Sequence, residues 1–276
     1  MKIARVFPRK TEGSPIDDLV FFGNPPKIIL PELEEIHVSC SFTYDKDYAE
    51  YLADQWSTLG VPVKVGGPAY GDCTDENFVP GRYVKKGITF TSVGCPNRCW
   101  FCSVWKRSNG IKELPIKDGY IIQDDNIIAT SQAHFLKVME MLKRQKKRAE
   151  FKGGLEAKTI KEWHVEQMQA LKLESMFFAY DTPDDYDPLI EAGKLLKRYE
   201  ITLNTRIPRA YVLIGYPKDT MDEAYSRLYK TLQAGFVPFA MLYKNEKGET
   251  SKEWGKLQRE WTRMSIICSN YPEFFD

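Results

Sequence analysis

Cys95, Cys99 and Cys102 stand at the end of an apolar run, Gly87-Ile-Thr-Phe-Thr-Ser-Val-Gly-Cys-Pro-Asn-Arg-Cys-Trp-Phe-Cys102. Thiolates separated by three and then two residues on one loop can converge on a soft metal centre. If that centre is a four-iron cluster, three cysteine ligands leave one iron without a protein ligand and open to a substrate. The same three residues also admit a zinc knuckle or a disulfide pair. Zinc sites usually show two Cys-x-x-Cys pairs or added histidines, and no His lies near this loop.

A loop of this kind needs a scaffold, and the chain supplies an alternating one. Ile88 to Val93 reads as a first strand, and Tyr120 to Ala129, with an acidic break at Asp124-Asp125-Asn126, as a second. Phe135, Val138, Met139 and Leu142 recur at helical spacing after it. Ala149 to Lys152 is a third strand; Thr159 with Glu162 forms a capping box for the next helix, and Leu173 to Ala179 is a fourth strand. Thr182-Pro183 opens a helix with Leu189, Ala192, Leu196 and Tyr199 on one face. Ala210 to Ile214 is a fifth strand, Thr220 with Glu223 caps a further helix, and Phe236 to Tyr243 is a sixth strand before a final helix over Lys252 to Ile267. Six strand-helix units predict a parallel sheet with right-handed crossovers, whose sites gather at the carboxyl ends of the strands. The cysteine loop lies at such an end.

The Cys-x-x-x-Cys-x-aromatic-Cys pattern, with Phe101 in the aromatic position, resembles the signature of the radical S-adenosylmethionine (SAM) superfamily. The resemblance implies an α/β fold with a partial (βα)6, TIM-barrel-like domain over residues 83–276. It also implies a [4Fe-4S] cluster on Cys95, Cys99 and Cys102 that chelates SAM and cleaves it reductively. The product is a 5′-deoxyadenosyl radical, which abstracts hydrogen from a substrate the sequence does not name. A one-electron reductant such as flavodoxin or ferredoxin would then be a partner. By the same resemblance Asp124, Asp125 and Asn126 are expected near the SAM amino group, although the family's usual Gly-Gly-Glu form is missing. Gly153 and Gly154 allow close backbone approach, and Glu156 is expected at the ribose or amino group. Ile214 and Gly215 on the fifth strand resemble the family's adenine motif, with Met241 playing a similar part on the sixth. Plainer readings exist for each: an acidic turn, a chain reversal into a helix, a strand followed by a turn, and a core methionine. Asp181, Arg206, Arg209 and Tyr243 are also candidates for the barrel mouth, with no role assigned.

Residues 1–82 read as a separate cap. Ile36 to Cys40 is a strand, Tyr48 to Leu59 a helix, and Val61 to Val65 a strand ending in Gly66-Gly67-Pro68. This βαβ-like unit resembles the latter part of the cobalamin-binding domain that precedes the barrel in one large group of radical SAM enzymes. It is too short for a full nucleotide-binding domain. A vestigial cap is therefore the expectation, with cobalamin and methyl transfer as the alternative. From a different class, a non-catalytic iron-sulfur or zinc module used for binding or redox sensing is a further alternative.

Composition excludes several other classes. The 39 basic and 38 acidic side chains leave a net charge of +1, so there is no global pull toward nucleic acid or an anionic membrane. Met1 to Arg9 has no apolar stretch of signal-peptide length and no later segment approaches a membrane span, so a cytoplasmic protein is expected. Six cysteines are too few for a disulfide scaffold in a chain of 276 residues. Cys40, Cys73 and Cys268 are scattered, as are His37, His134 and His164. The basic run Lys143 to Arg148 reads as a solvated helix end.

Overall fold

A computed structural model describes residues 2–27, 30–71, 79–245 and 247–275, so Cys73 lies outside the described residues. The protein is mixed α/β, built on two parallel sheets and one short antiparallel pair.

The amino-terminal sheet contains β1 (Ile3–Phe7), β2 (Val20–Phe22), β3 (Glu35–Ser39) and β4 (Val63–Gly66), in the order β2-β1-β3-β4. Helix α1 (Lys46–Ser57) covers one face, burying Ala49, Leu52 and Trp56 against Ala4, Val6, Ile36 and Val38. The βαβ unit read from the sequence is thus half of a four-stranded sheet. Strands β1 and β2 are not among the expected elements: Arg5 interrupts β1, and β2 runs only three residues, too few for a period to show.

Next come β5 (Ile88–Thr89), β6 (Ser92–Val93), the single-turn α2 (Val104–Arg107), β7 (Lys112–Glu113) and β8 (Ile121–Ile122). The predicted first strand is therefore divided. Ile88–Thr89 joins the large sheet, whereas Ser92–Val93 leaves it to pair antiparallel with Lys112–Glu113. The predicted second strand also ends early: Ile127–Ala129 is a 3-10 turn. Asp124, Asp125 and Asn126 lie between the two, on the loop leaving the strand.

The remaining elements are α3 (Gln132–Lys143), β9 (Ala149–Phe151), α4 (Glu162–Gln169), β10 (Leu173–Ala179), α5 (Tyr186–Arg198), β11 (Pro208–Ile214), α6 (Met221–Gln233), β12 (Val237–Leu242), α7 (Lys252–Glu260) and α8 (Met264–Asn270). Strands β5, β8, β9, β10, β11 and β12 stand side by side in chain order, all parallel. The first crossover holds only the single-turn α2, with no buried residue, whereas each later one contains a helix of at least two turns that buries apolar side chains against the sheet. Leu189, Ala192 and Leu196 of α5 meet Met176 and Phe178 of β10 in this core. Burial of a leucine side chain there contributes about 1.5–3 kcal/mol.

Cap chemistry sets the helix starts. Thr220 and Glu223 form the expected reciprocal cap of α6, with the Glu223 N–H donating to Thr220 Oγ1 at 3.3 Å and the Thr220 N–H to Glu223 Oε2 at 3.2 Å. At α4 the cap is not Thr159 with Glu162. The Lys161 N–H instead donates to the His164 imidazole at 2.9 Å, while Thr159 sits a turn earlier. The predicted final helix breaks after Glu260 into α7 and α8. No helix among the described residues is long and apolar enough to cross a membrane.

Candidate functional site

The loops leaving β5 and β6, β8, β9 and β10 meet at the carboxyl end of the large sheet. They enclose a cavity of about 430 Å3. Cys95, Cys99 and Cys102 line it, with Phe101. Asp125 and Asn126 enter from the loop after β8, Gly154 and Glu156 from the loop after β9, and Asp181 from the end of β10. Parallel sheets place loops of successive strands at one end, which explains how residues from 95 to 181 in the chain share one wall.

The cysteine loop is tied down at its root by the acidic break. Asp124 is buried, and its carboxylate accepts from the Thr91 N–H at 2.6 Å, the Thr91 hydroxyl at 2.5 Å and the Ser92 hydroxyl at 2.7 Å. Asp125 accepts from the Gly94 N–H at 2.7 Å. Burial pushes the Asp124 carboxyl up to about 6, against the pull of its Thr91 and Ser92 donors, with Asp125 adding to the rise. Asp124 therefore positions the loop instead of facing the cavity. Gly153 has a matching packing role. A Cβ at this position would stand 1.7 Å from the Asp124 carbonyl oxygen, so only glycine lets the loop after β9 close on the loop after β8.

Glu156 is held from two sides. Asn97 Nδ2 donates to its Oε1 at 2.9 Å and Asn126 Nδ2 to its Oε2 at 2.8 Å. The same Asn126 amide is 3.5 Å from Cys95 Sγ, while its Oδ1 is buried with no hydrogen-bond partner in the described structure. A buried acceptor of this kind costs free energy unless a donor arrives. Asp181 accepts from the Leu213 N–H at 3.0 Å, linking β10 to β11 beneath the cavity. Burial raises its carboxyl to about 7, and the Asp185 charge adds to the rise.

The three thiols are free. Burial pushes Cys99 up, and the neighbouring Cys102, Cys95, Asp181 and Asp185 act in the same direction. Burial also raises Cys102, against a hydrogen bond from the Val104 N–H. Nucleophilic cysteines show the opposite shift, created by nearby cations or a helix N-terminus. Cys99 and Cys102 thus lack the lowering that marks a nucleophile. Among the described residues no three His, Cys, Asp or Glu side chains are gathered tightly enough to hold one metal ion. Zinc draws its ligands to within about 2.0–2.3 Å of a single point. A four-iron cluster would likewise require the three thiolates on one centre, each on a different iron.

Other sequence-predicted positions stand apart. Ile214 is fully buried in the helix-side core. Gly215, at φ +73°, turns the chain beside Trp254 and donates its N–H to Asp219 at 2.8 Å. Met241 is exposed over about two fifths of its surface, and none of these three lines the cysteine cavity. Arg206 ends a 3-10 turn in left-handed conformation, and Arg209 belongs to a different cavity. Tyr243 lies 6.3 Å, ring to ring, from Trp100, which also meets Tyr216 and Phe101 edge-on at the cavity rim. Residues the sequence reading passed over include Asn97, Thr91, Trp100 and Tyr216, whereas Phe101 and Tyr243 of the same aromatic group were named. Asn97 lies between two cysteines, and nothing in its spacing signals a partner at Glu156.

No family model matches the chain, and no curated protein matches it.

Proposed function

We propose that this chain is a radical SAM enzyme in which Cys95, Cys99 and Cys102 hold a [4Fe-4S] cluster. The observation that carries the reading is the shared cavity: the three thiols face Asn126, Glu156 and Asp181, which arrive from the next three strand ends of the large sheet. When bound, the cluster supplies an electron for cleaving the SAM sulfonium to methionine and a 5′-deoxyadenosyl radical.

The side chains around it have definable tasks. Asn126 Oδ1, lacking a partner, is an acceptor for an ammonium or hydroxyl donor of SAM. Glu156 is pre-oriented by two amides and offers its remaining lone pairs to the same ligand. Asp181, with its carboxyl near 7, ionises readily when a cation approaches. Phe101 and Trp100 form an apolar wall that excludes water from a reactive intermediate. An external one-electron donor of the flavodoxin or ferredoxin type would be the partner that reduces such a cluster, and hydrogen abstraction from a substrate is the chemistry it would supply.

Anaerobic reconstitution of wild type and Cys99→Ala, with iron and sulfide counted afterwards, tests the ligand set. Four irons and four sulfides per wild-type chain, with a collapse in the variant, support the reading. Equal loading in both would remove Cys99 from it.

A further inference from the structure

The large sheet has a second cavity, of about 570 Å3, toward the amino ends of its strands. Alternate residues of the strands supply it: Ser175 and Phe177 from β10, Arg209 and Tyr211 from β11, and Phe239 from β12. Further along β10 the same alternation delivers Ala179 to the cysteine cavity, about 7 Å from Phe177 at strand rise, and Asp181 follows just past the strand end.

The charges around this second cavity do not cancel evenly. Arg148 pairs with Glu174 at 2.9 Å, and Lys152 pairs with Glu12 and, at 3.4 Å, with Glu150. Those pairs use the three carboxylates. Arg209 has no carboxylate within ion-pair distance among the described residues. Its Nε donates to the Arg206 carbonyl at 3.2 Å and its guanidinium lies 5.4 Å from the Phe177 ring centre, which leaves its terminal NH2 groups free to meet a ligand in the cavity. The Ser175 hydroxyl is buried on the same wall and likewise has no partner in the described structure. Beside these donors the Phe177 and Tyr211 rings stack at 4.5 Å, with Phe239 edge-on at 5.9 and 5.7 Å.

We propose that this cavity binds a small molecule with a carboxylate next to a flat apolar body, the carboxylate on Arg209 and Ser175 and the body against Phe177, Tyr211 and Phe239. A bidentate carboxylate matches the guanidinium fork and also satisfies the hydroxyl, whereas the aromatic wall contributes apolar area. Burial lowers the proton affinity of Arg209, and the more distant Glu174 and Glu150 carboxylates oppose that fall without reversing it. Binding here does not depend on a cluster at the other end of the sheet.

Calorimetric titration of the full-length protein with phenylacetate tests the proposal, with phenylacetamide as the neutral analogue and inorganic phosphate as the bare anion. Saturable phenylacetate binding is expected, weakened about tenfold or more by the amide analogue and by Arg209→Gln, and several-fold by Ser175→Val. Circular dichroism checks that each variant is folded; if Arg209→Gln is not, Ser175→Val and the amide analogue still decide. Three outcomes would overturn the proposal: no saturation below about 10 mM, equal binding of acid and amide, or phosphate binding as tightly as phenylacetate.

Discussion

The Asp124 carboxylate takes both the N–H and the hydroxyl of Thr91, at 2.6 and 2.5 Å. This pair joins the loop after β8 to the root of the cysteine loop, 33 residues away in the chain. Replacing Asp124 with alanine strands the Thr91 and Ser92 donors in a buried setting. Urea unfolding should show a loss of about 3 kcal/mol or more, and iron uptake on reconstitution should fall with it. Unchanged stability would mean that the network does not hold the loop.

Gly153 and Gly154 are adjacent but not equivalent. A Cβ at Gly153 would meet the Asp124 carbonyl oxygen at 1.7 Å, whereas one at Gly154 would stand 3.2 Å from the Asp125 carbonyl oxygen. Gly153→Ala must therefore move backbone and should cost about 3 kcal/mol, with Gly154→Ala milder. Thermal melts of the two variants, compared side by side, check the ranking.

Asp181 makes stability depend on pH in a direction opposite to that of a salt-bridged carboxylate. Its folded pKa of about 7 lies above the ordinary 3.8. The contribution is therefore fully present below about pH 4 and is lost as pH rises through 7. Asp181→Asn keeps an acceptor for the Leu213 N–H and removes the charge. The variant should melt about 5 °C above wild type at alkaline pH, with the gap narrowing below pH 7 and vanishing near pH 4.

Glu156→Gln tests the proposed ligand contact separately from the cluster. The variant keeps the shape of the side chain and loses its charge, so SAM affinity should fall about tenfold while iron and sulfide content stay at wild-type levels. Equal SAM affinity would leave Glu156 a structural partner of Asn97 and Asn126.

Much of the parallel sheet was legible because β10, β11 and β12 run six or seven residues and each carries an apolar stretch, Met176 to Ala179, Ala210 to Ile214 and Val237 to Leu242, and the helices between them carry clean stripes. Strands β5 and β8 pair over only two residues each, so their apolar runs looked longer than the hydrogen-bonded segments are. The parting of Thr89 from Ser92 follows from the Asp124 network, a contact across 33 residues that no local pattern announces. At the cavity, the cysteines were named from their spacing, and Asp125, Asn126, Gly154 and Glu156 from the family resemblance applied to successive strand ends. Asp124 and Gly153 were named for the ligand, yet in the structure they pack and tether. That distinction rests on burial, and neighbouring letters in a sequence do not carry it. Arg209 fell within a candidate list without a role, because its lack of a counter-ion becomes visible only when Glu150 and Glu174 are seen committed to other cations.

The central claim is tested most directly by reconstituting the protein anaerobically with iron and sulfide, reducing it with dithionite in the presence of SAM, and assaying 5′-deoxyadenosine by chromatography. The account predicts release of that nucleoside by wild type and none from a variant with Cys95, Cys99 and Cys102 all changed to alanine. A protein that takes up only zinc, or one that forms its cluster and leaves SAM intact with every reductant tried, would contradict it.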